Sequence, residues 1–219
     1  FPFGVDPDEE IPELATDPQP SIGPFGIVDG VIAEVGGAEP EPVEGLPTLV
    51  DLAAPNHPAA SPDGSVWVVL DGTRRLLLLP TDGGPPQPLL DGSDLLPPSV
   101  DRYGWVWSGE RASHGMLTAV APDGTVVDVA APLLVDSEVR SIRVSRDGAR
   151  IAIASVDTDG RTRIQVASVV RAAGEAGEPR TLGAGALTVG TQLVDVTELA
   201  WSDEQTLAVL GVAAGSQQR

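Results

Sequence analysis

The sequence predicts an all-β fold: a β-propeller of four-stranded antiparallel blades, its ring incomplete or fragmentary. Three observations predict it. First, a strand–turn cadence recurs four times: Ser61-Pro62-Asp63-Gly64 runs into residues 65–70, Ser99-Val100-Asp101-Arg102-Tyr103-Gly104 into 105–107, Ser145-Arg146-Asp147-Gly148 into 151–154, and Ser202-Asp203-Glu204-Gln205 into 207–210. Second, the leading serines stand 38, 46 and 57 residues apart, which suits a propeller blade of about 40–50 residues. Third, 25 Gly and 21 Pro punctuate the 219 residues too often for long helices. Short Val/Ile/Leu runs bounded by Asp-Gly and Pro are strand signals.

The elements follow in chain order. In residues 1–24, Pro2, Pro7, Pro12, Pro18, Pro20 and Pro24 deny a strand its ladder donors, and six carboxylates add self-repulsion. This stretch reads as an acidic linker or arm; the other reading is an acidic docking peptide. A propeller domain is expected over 25–219. Its N-terminal strands, within 25–46, begin with a hairpin, 25–28 and 31–35, turning at Asp29-Gly30, where both positions tolerate positive φ. A further short strand is expected near 42–46.

The first full blade, about 57–90, holds strands 58–61, 65–70, 75–80 and 87–90. The second, about 98–134, holds 98–101, 105–109, 116–121 and 126–130. The third, about 138–185, holds 139–145, 150–156, 163–170 and 179–182. The last unit, 193–211, offers only 194–202 and 206–210. Two explanations compete for this partial blade. The N-terminal hairpin supplies its outer strands, or the parent polypeptide continues into further blades. The second suits an architecture with a lower limit of about four blades. The opening Phe1-Pro2-Phe3, with no initiator Met and no basic or long apolar leader, reads as a piece of a longer precursor.

Net charge is −19, all 13 basic residues are Arg, and none precedes Arg74. Such a surface repels phosphate backbones, so no nucleic-acid partner and no direct membrane insertion by this fragment are expected. There is no Cys, hence no disulfide and no thiolate metal site. His57 and His114, the only histidines, have no second His or carboxylate at ligand spacing. Asp157-Thr158-Asp159-Gly160 starts like a calcium loop, yet Ser168 stands where a bidentate carboxylate is needed, so it reads as a hairpin turn. Without Lys there is no Walker motif, and no Gly-x-Ser-x-Gly elbow occurs. The sequence therefore predicts no enzyme, no catalytic residue, no metal and no cofactor.

Residues 101–107 hold the only Tyr and two of the four Trp. Trp105 and Trp107 lie on one face of a strand, two residues apart, and that face packs on the next blade. The functional reading is an aromatic patch with Arg102 and Tyr103 at a loop, suited to a peptide or sugar. Trp67 takes the blade position of Trp105, which favours core. Because rigid scaffolds present function on loops, the partner-binding candidates are Arg102, Tyr103, Trp105, Arg111 and His114, with the loop 171–178 beside them.

The string 99–107, ending Trp-Val-Trp, resembles part of the C-terminal propeller of the LpqB family of actinobacterial lipoproteins. So, in the same order, do Ile27-Val28-Asp29-Gly30-Val31, the run 139–152, Asp195-Val196-Thr197-Glu198-Leu199-Ala200-Trp201 and Thr206-Leu207. The resemblance covers about residues 25–212. It implies an exported protein held on the outer face of the cell membrane by a lipidated N-terminal Cys, absent here, with a small GerMN-type domain before the propeller. It also implies contact with the extracellular part of a two-component sensor histidine kinase, affecting envelope homeostasis and division. The expected function is a non-catalytic interaction domain. Two alternatives stand beside it: a propeller binding sugar or peptidoglycan fragments, and an accessory domain of a hydrolase.

Overall fold

The computed structural model describes residues 25–35, 37–173, 177–189, 193–203 and 205–213. The expected arm at 1–24 lies outside the described residues. Strands β1 (Phe25–Val28), β2 (Val31–Glu34) and β3 (Glu41–Pro42) form an antiparallel sheet. Its first turn, Asp29-Gly30, has φ of 50° and 76°, the positive values that a tight hairpin needs. The second sheet runs in chain order through β4 (Asn56–Ala60), β5 (Trp67–Leu70), β6 (Arg75–Leu79) and β7 (Gln87–Asp91). The third holds β8 (Ser99–Val100), β9 (Val106–Ser108), β10 (Met116–Val120) and β11 (Val126–Ala130), followed by a 3-10 turn at Pro132–Leu134. The fourth holds β12 (Glu138–Val144), β13 (Arg150–Val156), β14 (Thr162–Arg171) and β15 (Pro179–Leu182). Then come β16 (Leu187–Val189) and the pair β17 (Leu193–Trp201) and β18 (Leu207–Ala213). The architecture is an all-β propeller.

Two details depart from a simple row of blades. Strand β14 carries two outer partners: β15 on its C-terminal half, through Val169↔Leu182, and β16 on its N-terminal half, through Ile164↔Val189. Sequence pattern does not reveal β16, because three residues between Gly185 and Gly190 read as loop. One parallel bridge, Ala130↔Thr181, also joins β11 to β15, and the Thr181 hydroxyl donates to the Ala130 carbonyl at 3.0 Å. The third and fourth sheets therefore share an outer edge. Among the described residues the N-terminal sheet pairs with neither β17 nor β18, and its hairpin supplies no outer strand to the last unit there.

Alternation along each second strand builds the core. Side chains of period two point to opposite faces, and each face meets a different sheet. Val66, Val68 and Leu70 pack with Val100, Val106 and Val120, whereas Trp67 and Val69 pack with Ile32 and Leu49. Ile151 and Ile153 join Trp105 and Trp107, while Ala152 and Ala154 join Val196 and Leu199. Burying one such large side chain contributes about 1.5–3 kcal/mol, so apolar packing between sheets dominates cohesion.

The equivalence of Trp67 and Trp105 needs correction. The hairpin at Ser61 closes with Ser61 N–H donating to Val66 O (2.9 Å), but the one at Asp101 closes on Trp105 O (3.1 Å), one residue sooner. The shorter turn puts Trp105 in register with Val66. Trp67 and Trp105 consequently face opposite sides of their sheets. Trp67 meets Phe25 edge-on, with ring centroids 4.6 Å apart.

Side-chain oxygens fix the recurring turns. Ser61 Oγ donates to Asp63 Oδ1 at 2.6 Å and accepts from the Val66 N–H at 3.0 Å, while Asp63 Oδ1 accepts from the Ser65 N–H at 3.1 Å. The fourth sheet repeats this: Ser145 Oγ accepts from the Arg150 N–H, and Asp147 from the Ala149 N–H, both at 3.0 Å. In the third sheet Asp101 does both tasks. Its Oδ1 accepts from the N–H groups of Tyr103 (2.9 Å) and Trp105 (3.1 Å), and its Oδ2 from Trp107 Nε1 (3.0 Å). Oδ2 also pairs with the Arg171 guanidinium, itself 4.9 Å from the Tyr103 ring centroid. The Asp101 side chain is 0% exposed and that of Arg171 9%.

Removing one member of a buried, hydrogen-bonded pair leaves an uncompensated charge and costs about 3–5 kcal/mol. Asp101→Ala or Arg171→Met is expected to lower stability by that order, measured by urea unfolding followed by Trp fluorescence. The double variant is expected to lose less than the sum of the singles.

The turn carboxylates also set the acid limit. The Ser61 hydroxyl leads in holding Asp63 below its ordinary 3.8. For Asp71 and Asp147 burial works upward, but hydrogen bonds from Thr73 and Arg75, and from Ser145 and Ala149, prevail and the pKa falls below 3.8. A carboxylate depressed in the folded state stabilises fully above its unfolded pKa and loses that stabilisation as pH falls through the folded value. Urea midpoints are therefore expected to hold from neutrality to about pH 5 on this account and to fall steeply below pH 4.

Candidate functional site

The first strand of each sheet is the innermost. Strands β1, β4, β8, β12 and β17 stand side by side around the axis. Between them lie two adjoining cavities, of about 270 and 420 Å³, which share Phe25, Pro58, Pro98 and Arg143 in their walls. The smaller is bounded by Ser61, Pro62, Arg146 and Trp201, the larger by Asn56, His57 and Glu198.

Arg143 on β12 stands where the cavities meet. Its Nη2 donates to Glu198 Oε1 at 3.0 Å and its Nη1 to the Ile142 carbonyl at 2.8 Å. The Arg143 carbonyl accepts from Trp201 Nε1 at 2.9 Å. These bonds tie β12 to its neighbour β17 and engage both terminal nitrogens of the Arg143 guanidinium. His57 sits where the β4–β5 register shifts, with φ of 50°. That left-handed backbone turns it out of the ladder and onto the cavity wall. Partial burial and the Arg143 charge hold the imidazole below its ordinary 6.5, with Glu198 opposing. His57 is therefore neutral at pH 7, an uncharged donor and acceptor beside a fixed cation.

The loop candidates fall into two separate places. Arg102 and Tyr103 occupy the β8–β9 turn, whereas Arg111 and His114 occupy the β9–β10 connection at the opposite end of the same sheet. They cannot converge on one ligand. Arg102 is exposed, its guanidinium 5.6 Å from the Tyr103 ring centroid, and Tyr103 is half-buried. Trp105, at 7% exposure, is part of the core between the third and fourth sheets; its ring is not available to a partner, because the short turn directs it inward. Arg111 Nε donates to Asp94 Oδ1 at 3.2 Å, and its carbonyl accepts from the Val139 N–H at 2.8 Å. His114 is exposed, with φ of 47°. Of the loop 171–178, residues 174–176 lie outside the described ones.

Sequence reasoning did not single out His57, Arg143, Arg146, Glu198 and Trp201 as one set. Arg143 and Glu198 are 55 positions apart, and only the packing of β17 beside β12 brings them together. The usable signal was their repeated place on the first strand of a blade or beside its hairpin.

A family model described as the Lipoprotein LpqB beta-propeller domain matches residues 30–219. The chain belongs to this family. Lipoprotein LpqB of Streptomyces coelicolor is 33% identical over 128 residues, which is 57% of this chain and 20% of the relative. Lipoprotein LpqB of Thermobifida fusca is 37% identical over 103 residues, 47% of this chain and 16% of the relative. The matched region thus spans a fifth or less of these relatives. Among solved structures, a chain of the Kuenenia stuttgartiensis Hydrazine Synthase matches 80% of this chain at 14% identity, covering 58% of that chain, with a TM-score of 0.41; a likeness at that level assigns nothing here. Among the described residues of this LpqB-family propeller, no helix is long and apolar enough to cross a membrane, and no group of three or more His, Asp and Glu is placed to hold a metal.

The two neighbours of His57 act in opposite directions, so they can be separated by NMR. Arg143→Gln is expected to raise the His57 pKa and Glu198→Gln to lower it further, both read from the imidazole 15N shifts across a pH series. His114, in a remote connection, serves as the internal reference.

Proposed function

We propose that this chain is the non-catalytic interaction domain of an exported cell-envelope lipoprotein, anchored to the outer face of the membrane through a lipidated terminus outside this chain. Its partner is the extracellular part of a two-component sensor histidine kinase, whose activity it modulates. Family membership supports the lipoprotein context, since the relatives are named lipoproteins. The observation that carries an interaction role is the turn end of the third and fourth sheets. There the buried Asp101–Arg171 pair and the Arg102 N–H donating to Arg146 O at 3.2 Å hold two hairpins, exposed at Arg102 and at Ala149, in one fixed relation. Rigid hairpins present a partner with a surface whose ordering cost is already met by the fold. A sugar stacked on Trp105 and Trp107 is disfavoured, because both rings are buried.

The acidic surface sets the character of the encounter. With net charge −19, association with a basic patch is fast at low salt and slows as salt screens the charges. The test uses the full-length parent lipoprotein and the purified extracellular sensor domain. Capture is expected with the intact protein, is expected to be lost when the propeller is deleted, and to fall about tenfold or more with Arg102→Glu. Equal capture without the propeller would overturn the proposal.

A further inference from the structure

Chain composition makes an unpaired arginine unusual here. Asp and Glu number 32 against 13 basic residues, and most described arginines have a carboxylate within 4.0 Å. Among the described residues only Arg102, Arg146 and Arg180 have none. Arg180 is exposed on the outer strand β15. The other two are joined, backbone to backbone, by the Arg102 N–H to Arg146 O bond of 3.2 Å. Arg146 is half-buried, and it lines the smaller axial cavity.

That cavity has a wall unlike the rest of the molecule. Among the described residues it contains Arg143 and Arg146 and no Asp or Glu. Arg143 already spends its guanidinium on Glu198 and Ile142, which leaves Arg146 as the open cation. The remaining wall is mostly Pro, Ala and the half-buried Trp201. A partly exposed guanidinium with no protein acceptor stays free to make charge-assisted hydrogen bonds to a bound anion. Guanidinium presents a planar fork that matches the two oxygens of a carboxylate or phosphate. The volume, about 270 Å³, lies just below the range of about 300 to 1,000 Å³ for drug-sized ligand sites, which suits a small ligand.

We infer that this axial cavity is a binding site for a small organic anion, its carboxylate or phosphate on Arg146 and its body against Pro62, Pro98 and the Trp201 ring. The anion takes the Arg146 side chain, whereas the sensor contact proposed above rests on the Asp101–Arg171 pair and the Arg146 backbone carbonyl of the same hairpin.

The test uses the whole chain, with glucuronate, glucose 6-phosphate and uncharged glucose as probes. Binding is read from the Arg146 Nε–H and Trp201 indole NMR signals, and from Trp fluorescence. Trp67, Trp105 and Trp107 are buried at 3%, 7% and 0% exposure, so a fluorescence response points to Trp201. Saturable shifts are expected with at least one anionic probe and none with glucose. Whichever anion binds more tightly distinguishes a carboxylate from a phosphate ligand. Arg146→Gln is expected to weaken binding about tenfold or more without changing the melting temperature, and Arg180→Gln to leave it unchanged. An Arg146 signal that responds to neither anion, equal binding of glucose, or equal loss in the Arg180 variant would overturn the inference.

Discussion

A carboxylate with no solvent exposure holds the centre of this propeller together. Asp101 accepts two backbone N–H groups of its own hairpin, the Trp107 indole N–H and the Arg171 guanidinium. The first two bonds shape the turn, the third fixes a core tryptophan, and the fourth reaches into the next sheet. Local and long-range order therefore meet in one group. A buried charge is tolerable only when its lone pairs are filled, so each of the four partners supports the others. The Arg171 guanidinium in turn lies over Tyr103 and donates to the carbonyls of Gly148 and Gly177. The neighbouring hairpin and the chain after β14 are thereby fastened to the same point.

Around this hub the sheets cohere by apolar packing, not by continuous ladders. Among the described residues one parallel bridge is the only ladder pairing of the third sheet with the fourth, whereas Trp105, Trp107, Ile142, Ile151 and Ile153 fill the space between them. Further polar stitches lie nearer the axis: Ser99 Oγ accepts from the Val144 N–H at 3.0 Å, and Arg143 pairs with Glu198. Hydrophobic contact is non-directional. These few directional bonds fix how far one sheet is rotated against the next, and so determine the shape of the axial cavities.

Charge is distributed with the same economy. Carboxylates crowd the surface and the turns, where backbone N–H groups or arginines satisfy them. Among the described residues the smaller axial cavity has arginine and no acid in its wall. The larger one holds His57 in its neutral form beside the Arg143–Glu198 pair. Two cavities that share four wall residues thus differ in character within one channel, the first open to an anion and the second internally neutralised.

Strand positions were legible in the sequence because they rest on local chemistry. Ser-x-Asp-Gly turns close on their own side chains, and alternating apolar residues show which strands are buried on both faces. The inward burial of Trp107, the Asp29-Gly30 hairpin and the family resemblance were all readable in this way. The facing of Trp105 relative to Trp67 was not, because it depends on a one-residue difference in hairpin closure that reverses every side chain after it. Strand β16 was hidden by its flanking glycines, and it exists because ten-residue β14 has room for two partners. The axial site escaped for a different reason: Arg143 and Arg146 come from one blade and His57 and Glu198 from two others, and local pattern carries no information about which residues meet at the axis. Sequence alone determined the repeated unit, since each turn and strand is stabilised within a few residues. Tertiary structure alone decided the site, since only packing of successive sheets sets the distances between their first strands.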